Sequence, residues 1–434
     1  MFFERPESGE TAILVHIDFP GHNANNNPRE LEELALSAGA DPVEYLFGTR
    51  SDPSPKFFLG KGKVAELAEL VHMHDAKLVI FDHSLSPAQE RNLEREIQCR
   101  VLDRTGLILD IFAQRARTHE GKLQVELAQL EHMSTRLIRG WTHLERQKGG
   151  IGLRGPGETQ LETDRRLLRA RIKAITSRLE KVRKQREQGR RARARAEIPT
   201  LSLVGYTNAG KSTLFNRITE ADVYAADQLF ATLDPTLRKL EMNDIGSVIL
   251  ADTVGFIRDL PHKLVESFRA TLQETVEAAL LLHVIDAADD ERRDHIAEVM
   301  HVLHEIDADQ VPMLEVYNKI DAMEGVSPKI DRDDEGNPIR VWLSAQSGEG
   351  VDLLIQALQE RLANDMFHDV IELDHFQGQL RAMLYKQNAV VDEQFSEEGR
   401  IRLEIKLQEK ELRKILSRLD ISHETFIPAR EEEW

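Results

Sequence analysis

Cysteine is almost absent from this chain, because Cys99 is the one thiol in 434 residues. A single cysteine excludes an intramolecular disulfide framework and any multi-cysteine zinc site. Chains without disulfides are typical of reducing compartments. We therefore expect the protein to be cytoplasmic.

Long apolar runs are missing as well. The most apolar run, residues 278–285, is eight residues long and includes His283, far short of the roughly 20 residues that cross a bilayer. The first residues, 1–6, lack an apolar core after a basic segment, so they do not fit the pattern of a secretory signal. We expect a soluble protein without stable membrane insertion.

Basic residues are outnumbered by acidic ones: the chain has 57 Lys and Arg and 75 Asp and Glu, which gives a net charge of −18. Positive charge is concentrated in residues 164–195, which hold fourteen Lys and Arg against three Asp and Glu, a net +11. Charged helix faces are usually only solvated, but this density in an acidic chain favours contact with nucleic-acid phosphates. We expect the segment to bind RNA.

Chain length and the alternation of apolar runs predict several α/β units. At roughly 150 residues per domain, 434 residues correspond to about three domains. Strands such as 78–81 alternate with helices such as 87–97, which favours a mostly parallel sheet. We predict an N-terminal α/β domain (1–105), a long antiparallel helical hairpin (106–196), a second α/β domain with a mostly parallel sheet (197–363) and a small C-terminal α+β domain (364–434).

The predicted hairpin has two apolar seams. Each spans 22 residues in a 3-4 alternation typical of paired helices; the seams are Leu123, Leu127, Leu130, Leu137, Trp141 and Leu144, then Leu161, Leu168, Ile172, Ile175, Leu179 and Val182. Five glycines between Lys148 and Gly157 disfavour helix there. The pattern predicts a hairpin about 33 Å long with a glycine-rich tip.

A glycine-rich loop follows the predicted strand 201–204 and precedes a helical stretch. Its residues are Gly205, Tyr206, Thr207, Asn208, Ala209, Gly210, Lys211 and Ser212. This is the phosphate-binding loop in its required context: backbone N–H groups wrap the phosphates, Lys211 neutralises the β/γ oxygens and Ser212 ligates Mg²⁺. We expect all eight residues to contact nucleotide, which makes 197–363 a P-loop domain.

Two further segments supply the other groups that phosphoryl transfer needs. In the loop Phe230, Ala231, Thr232, Leu233 and Asp234, we expect the threonine to reach Mg²⁺ only when a γ-phosphate is present. The segment Asp252, Thr253, Val254 and Gly255 ends an apolar run, and we expect its Asp to hold Mg²⁺ through water. We predict a metal site of Ser212, Thr232 and Asp252, and catalytic roles for Lys211, Thr232 and Gly255.

The choice of base follows from two later segments. The first, Asn318, Lys319, Ile320 and Asp321, comes after a predicted strand. The Asp321 carboxylate can accept from both the ring N–H and the exocyclic amine of guanine, a donor pair that adenine lacks, so GTP is favoured over ATP. The second segment, Ser344, Ala345 and Gln346, is expected to supply a backbone N–H near the guanine oxygen.

These motifs, in this order, resemble the translation-factor-related P-loop GTPases and more closely the HflX family, whose signature loop is similar to residues 149–162. The resemblance covers nearly the whole chain. It implies a Mg²⁺-dependent GTPase, expected to be a monomer, that binds the large ribosomal subunit and its rRNA, places the hairpin near the peptidyl transferase centre and separates stalled ribosomes under stress. The alternative is a GTP-regulated RNA-binding or ribosome-assembly scaffold with little catalysis.

Phe256 departs from the common GTPase pattern. It follows Gly255, where many GTPases have a glutamine that orients the attacking water. We expect slow intrinsic hydrolysis, with a partner or an ion supplying the missing element. Asn208 resembles an asparagine that coordinates K⁺ in some relatives without that glutamine, and a loop-shaping hydrogen bond explains it equally well.

Overall fold

The structure is a computed structural model, and it describes every residue of the chain except the following: 1–8, 20–27, 141–155, 196–197, 221–228, 231, 234, 243–244, 259, 261–268, 365, 375–376, 388, 396–400, 420, 422–425 and 427–434. For several stretches of helix and strand, among them 137–140, 156–164 and 190–195, the description is of the backbone alone. Within these limits, no helix has the length and apolar character needed to cross a membrane.

The N-terminal unit is built on a four-stranded parallel sheet. Its strands lie in the order β2-β1-β3-β4 and are β1 (Glu10–Asp18), β2 (Ala40–Thr49), β3 (Leu78–Phe81) and β4 (Arg100–Asp103). Three helices connect them: α1 (Pro28–Ala38), α2 (Lys61–Met73) and α3 (Pro87–Ile97). Ser86 and Gln89 form a capping box that fixes where α3 begins. The predicted parallel α/β unit is confirmed.

Three helices follow the sheet: α4 (Arg104–Arg115), α5 (His119–Gly140) and α6 (Pro156–Arg195). Helix α4 buries its apolar face with α1 and the sheet. Helices α5 and α6 pair through Ile175, which is fully buried against Leu123, Leu127 and Leu130. The predicted pairing of the seams is confirmed in this part. Helix α6 begins at Pro156, inside the predicted tip, because proline suits the first position of a helix. The predicted seam residues Trp141 and Leu144 and the tip residues 148–155 lie outside the described residues.

A seven-stranded, mostly parallel sheet forms the central unit, with strand order β10-β11-β9-β8-β5-β7-β6. The strands are β5 (Thr200–Val204), β6 (Thr236–Met242), β7 (Gly246–Asp252), β8 (Leu280–Asp286), β9 (Met313–Asn318), β10 (Lys329–Arg332) and β11 (Pro338–Trp342). Only the edge pairs β6–β7 and β10–β11 are antiparallel. The helices around the sheet are α7 (Lys211–Thr219), α8 (Arg269–Val276), α9 (Arg292–Glu305) and α10 (Val351–Asn364).

The C-terminal unit is a small α+β structure, as predicted. Its antiparallel sheet has the order β12-β14-β13, with β12 (Met366–Leu373), β13 (Val390–Phe395) and β14 (Ile401–Gln408). Helices α11 (Gly378–Lys386) and α12 (Glu409–Arg418) cover it, and Leu380, Leu403 and Leu412 are fully buried between the layers.

The N-terminal and central units share one apolar cluster. Leu34 of α1, Phe112 of α4 and Phe256 of the central unit are all buried in it. The rings of Phe112 and Phe230 meet edge to face, with their centroids 4.6 Å apart. The two units are therefore packed together at the phosphate loop; the division of the chain at residues 105, 196 and 363 stays a prediction.

Candidate nucleotide-binding site

Strand β5 leads directly into the phosphate loop, and two glycines allow the backbone to turn. Gly205 has φ +149°, and a Cβ on it would stand 2.2 Å from the carbonyl oxygen of Val284. Gly210 has φ +93°, and a Cβ there would stand 2.2 Å from Nδ2 of Asn318. No side chain fits at either place, so the loop closes tightly onto the ends of β8 and β9.

Lys211, the first residue of α7, is buried at the centre of the loop. Its ammonium donates to the carbonyl oxygens of Gly205 (3.0 Å) and Tyr206 (2.6 Å). Burial lowers the pKa of Lys211 to about 8, against a smaller opposing effect of the Asp252 carboxylate. Among the described residues, two carbonyl oxygens accept from this ammonium, so phosphate oxygens are its natural partners.

The three predicted metal residues come together although they lie on separate elements. The hydroxyls of Ser212 and Thr232 both donate to Oδ2 of Asp252, at 2.8 and 2.9 Å, and lie 2.7 Å from each other. Oδ1 of Asp252 is buried and has no hydrogen-bond partner within the described structure, and burial raises the pKa of the carboxyl. Two hydroxyls and a carboxylate with an open oxygen suit Mg²⁺.

The segment around Thr232 is divided between the cavity and the core. Phe230 borders the cavity next to Thr232, and Leu233 is buried in the shared apolar cluster. Ala231 and Asp234 lie outside the described residues. Burial of the flanking apolar side chains Phe230 and Leu233 holds Thr232 against Ser212.

Gly255 and Phe256 lie against the phosphate loop. A Cβ at Gly255 would stand 2.9 Å from Cγ2 of Thr207 and 3.0 Å from Nζ of Lys211, so only glycine lets the backbone approach the ammonium this closely. Phe256 donates its backbone N–H to Gly205 (3.1 Å) and accepts from Thr207 (2.7 Å). Its ring is fully buried in the apolar cluster, away from any position where it could contact water.

Thr253 and Val254 lie between Asp252 and Gly255 at this strand end. The hydroxyl of Thr253 donates to the backbone oxygen of Leu203, which ties β7 to β5. Val254 is buried in the shared cluster. Thr253 and Gly255 line the candidate nucleotide cavity, and Asp252 is bonded to Ser212 and Thr232.

The predicted base-recognition segments meet at the other end of the same cavity, whose volume is about 510 Å³. Asn318 joins them: its Nδ2 donates to Ala209 at 2.9 Å, and its Oδ1 accepts from the backbone of Ala345 at 2.8 Å. Asp321 and Gln346 line the cavity. Ile320 and Ser344 are buried behind it, and the Ser344 hydroxyl accepts from the N–H of Ser347.

Two sets of contacts at the site were not predicted from the sequence. The Lys319 ammonium forms an ion pair with Asp286 at 2.7 Å. This contact could have been predicted, because Asp286 stands at the end of β8 in the same way as Asp252 stands at the end of β7. Tyr206 donates its hydroxyl to Glu30 of α1. Tyr206 and Glu30 are separated by 176 positions in the sequence. No sequence pattern predicts their contact, since the docking of the two units brings them together.

A phosphate loop, converging hydroxyl and carboxylate ligands and a base-recognition segment on one sheet edge define a P-loop GTPase. Comparison with known families agrees: residues 200–319 match a family described as "50S ribosome-binding GTPase". Residues 25–113, 115–193 and 330–428 match "GTP-binding GTPase N-terminal", "GTP-binding GTPase Middle Region" and "HflX C-terminal domain".

Curated relatives narrow the class to one family. The chain is 62% identical to the GTPase HflX of Escherichia coli over 93% of this chain and 95% of that protein. It is 44% identical to the GTPase HflX of Magnetococcus marinus over 90% of each. The chain therefore belongs to the HflX family of GTPases, which confirms the resemblance. A GTP-binding protein from Sulfolobus solfataricus, solved with GDP, is 23% identical with a TM-score of 0.43, over 82% of this chain and 99% of that one.

Proposed function

We propose that this GTPase requires Mg²⁺ and uses it to bind and hydrolyse GTP. The observation that carries the proposal is the convergence of Ser212, Thr232 and Asp252 within 2.9 Å of one another. When bound, Mg²⁺ would neutralise the charge that develops on the β- and γ-phosphates. Ser212, Thr232 and Asp252 would hold it, and Lys211 would neutralise phosphate charge.

The proposed catalytic set is Lys211, Thr232 and Gly255, with Asp321 selecting guanine. The rest of the proposed nucleotide contacts are those of the sequence analysis, from the phosphate loop to Gln346. Since the Phe256 ring is buried, it cannot orient the attacking water, and another group must do so. Asn208 has φ +61°, a conformation that asparagine tolerates better than most residues. The loop shape alone thus accounts for Asn208, and a comparison of hydrolysis in K⁺ and Na⁺ tests its proposed K⁺ role.

We further propose that the protein acts on the large ribosomal subunit and rescues or splits stalled ribosomes in the cytoplasm. Helix α6 supports this: of its basic residues, Lys173, Lys181, Arg183 and Lys184 are exposed, as contacts to RNA phosphates require. The description of the family matched by residues 200–319 also names the 50S subunit.

The deciding experiment is GTP hydrolysis with and without purified large subunits. We expect subunits to stimulate hydrolysis, because a large partner can order the loops around Thr232 and Asp252. A subunit-separation assay on stalled ribosomes, with GTP and with a non-hydrolysable analogue, tests the splitting step. Equal turnover with and without subunits would contradict the proposal and favour the scaffold alternative, to which the buried Phe256 also points.

A further inference from the structure

Four residues form a junction between the N-terminal unit and the nucleotide site: Glu30, Arg104, Tyr206 and Arg258. The Tyr206 hydroxyl and the Arg104 guanidinium both donate to the Glu30 carboxylate. Arg104 also donates to Asp82 at 2.6 Å. The junction thus links the carboxyl edge of the N-terminal sheet to the second residue of the phosphate loop.

Arg258 enters the junction through its backbone. Its N–H donates to the Tyr206 hydroxyl at 2.9 Å, and its carbonyl accepts from Arg104 at 3.1 Å. Both of its peptide groups are therefore held, one by the phosphate loop and one by the N-terminal unit. Arg258 follows Gly255 by three residues, and the intervening Phe256 is hydrogen-bonded to Gly205 and Thr207. Phe256 and Arg258, which follow Gly255, are thus both hydrogen-bonded to the phosphate loop.

Burial makes the junction strong and sensitive to loss of a partner. Arg104 is 2% exposed; burial alone would lower its pKa, but the Glu30 and Asp82 carboxylates outweigh burial and raise it. Burial, with the neighbouring Glu30 charge, raises the pKa of Tyr206, so its phenol stays protonated and keeps donating. The Tyr206 ring is stacked on His295 of α9, with centroids 3.8 Å apart, which fixes the ring plane.

We propose that Glu30 and Arg104 are positioning residues for the nucleotide site: through Tyr206 and the Arg258 backbone, they hold Gly255 beside Lys211 and so favour GTP over GDP. This rests on the proposed phosphate site. GDP has no γ-phosphate and does not need Gly255 at that position, whereas GTP does. By linkage, GTP in turn tightens the docking of the N-terminal unit.

The test compares the Kd of GDP with that of a non-hydrolysable GTP analogue. Glu30→Gln keeps the shape of the side chain, so we expect the Kd of GDP to stay unchanged. The ratio of the GDP Kd to the analogue Kd should fall about five- to tenfold, a typical coupling between sites. Tyr206→Phe should reduce the same ratio, and the double variant should fall short of the product of the single effects because the two residues act through one hydrogen bond. The matched control is Glu33→Gln, one turn along α1, because Glu33 lines a cleft together with Glu30 and Tyr206. This variant should behave as wild type.

Hydrogen exchange supplies a second readout. Peptides from α1 should become better protected when the analogue replaces GDP in wild type, and this difference should disappear in Glu30→Gln. An unchanged preference in Glu30→Gln, or an equal loss in Glu33→Gln, overturns the inference. Lys211→Ala tests the phosphate site separately: if it binds both nucleotides as wild type does, the proposed site itself is wrong.

Discussion

Asp321 is the residue on which the choice of base rests. It lines the same cavity as Lys211, and its carboxylate suits the two donors on guanine. Asp321→Asn should weaken GDP binding and strengthen xanthosine diphosphate binding, because the extra carbonyl of xanthine prefers an amide donor. Competition titrations with the two diphosphates measure this. If base preference does not change, another residue reads the base.

Lys211 should make nucleotide binding depend on pH. Because burial lowers its pKa to about 8, the nucleotide-free lysine is charged below pH 8 and becomes neutral above it. Phosphates need the ammonium, so binding above pH 8 takes up a proton, and GDP affinity should fall by up to about tenfold per pH unit there. Calorimetry in two buffers of different ionisation enthalpy measures the proton uptake. Lys211→Arg, which stays charged, is the control; an equal fall in that variant would assign the effect to another group.

Helix α6 is the element expected to meet RNA. Replacing Arg190, Arg191, Arg193 and Arg195 by Gln should weaken large-subunit binding and reduce its salt dependence by up to about one unit of log–log slope per lost phosphate contact. GTP affinity should stay as it is, since the phosphate loop lies beyond residues 196–199. Lys181→Gln, Arg183→Gln and Lys184→Gln extend the test to side chains that are exposed in the structure.

The control for the variants at Lys181, Arg183 and Lys184 removes the same three charges elsewhere, at Lys61, Lys63 and Arg95 of the N-terminal unit. If both sets of variants lower the salt slope equally, the effect belongs to net charge and not to α6. Replacing the tip, 149–157, by a short Ser linker should spare much of the affinity and remove the effect on the ribosome. A tip variant that still separates subunits would contradict a role of the tip at the RNA core.

Local chemistry explains which elements could be predicted from sequence. Strand β3 and helix α3 have the predicted bounds, because an uninterrupted apolar run and a capping box with Pro87 each act within a few residues. Ser212, Thr232 and Asp252 lie far apart in sequence, and the order of their motifs made them predictable as one metal site. The Glu30–Tyr206 contact and the burial of Leu233 could not be predicted, since both depend on how two units dock and neither leaves a periodic pattern.

At the scale of the whole molecule, the shared cluster should couple the stability of the first two units. GDP at 100 times its Kd adds about 2.7 kcal/mol to the free energy of unfolding. Because Phe112 and Phe256 are buried in one cluster, we expect exchange protection to rise in β3 as well as in β8. The C-terminal sheet has its own cluster, so β14 is the internal control and should gain little. Protection confined to β8 would show that the units unfold independently.

Helix α6 also has a mechanical consequence. Its 40 residues form a rod about 60 Å long, and only residues 196–199 separate it from β5, the strand that carries the phosphate loop. A tilt of the helix by about 5° about Arg195 would displace Pro156 by about 5 Å, close to one helical pitch. A force on Pro156 would therefore act on the chain next to Thr200, where the strand that leads into the phosphate loop begins.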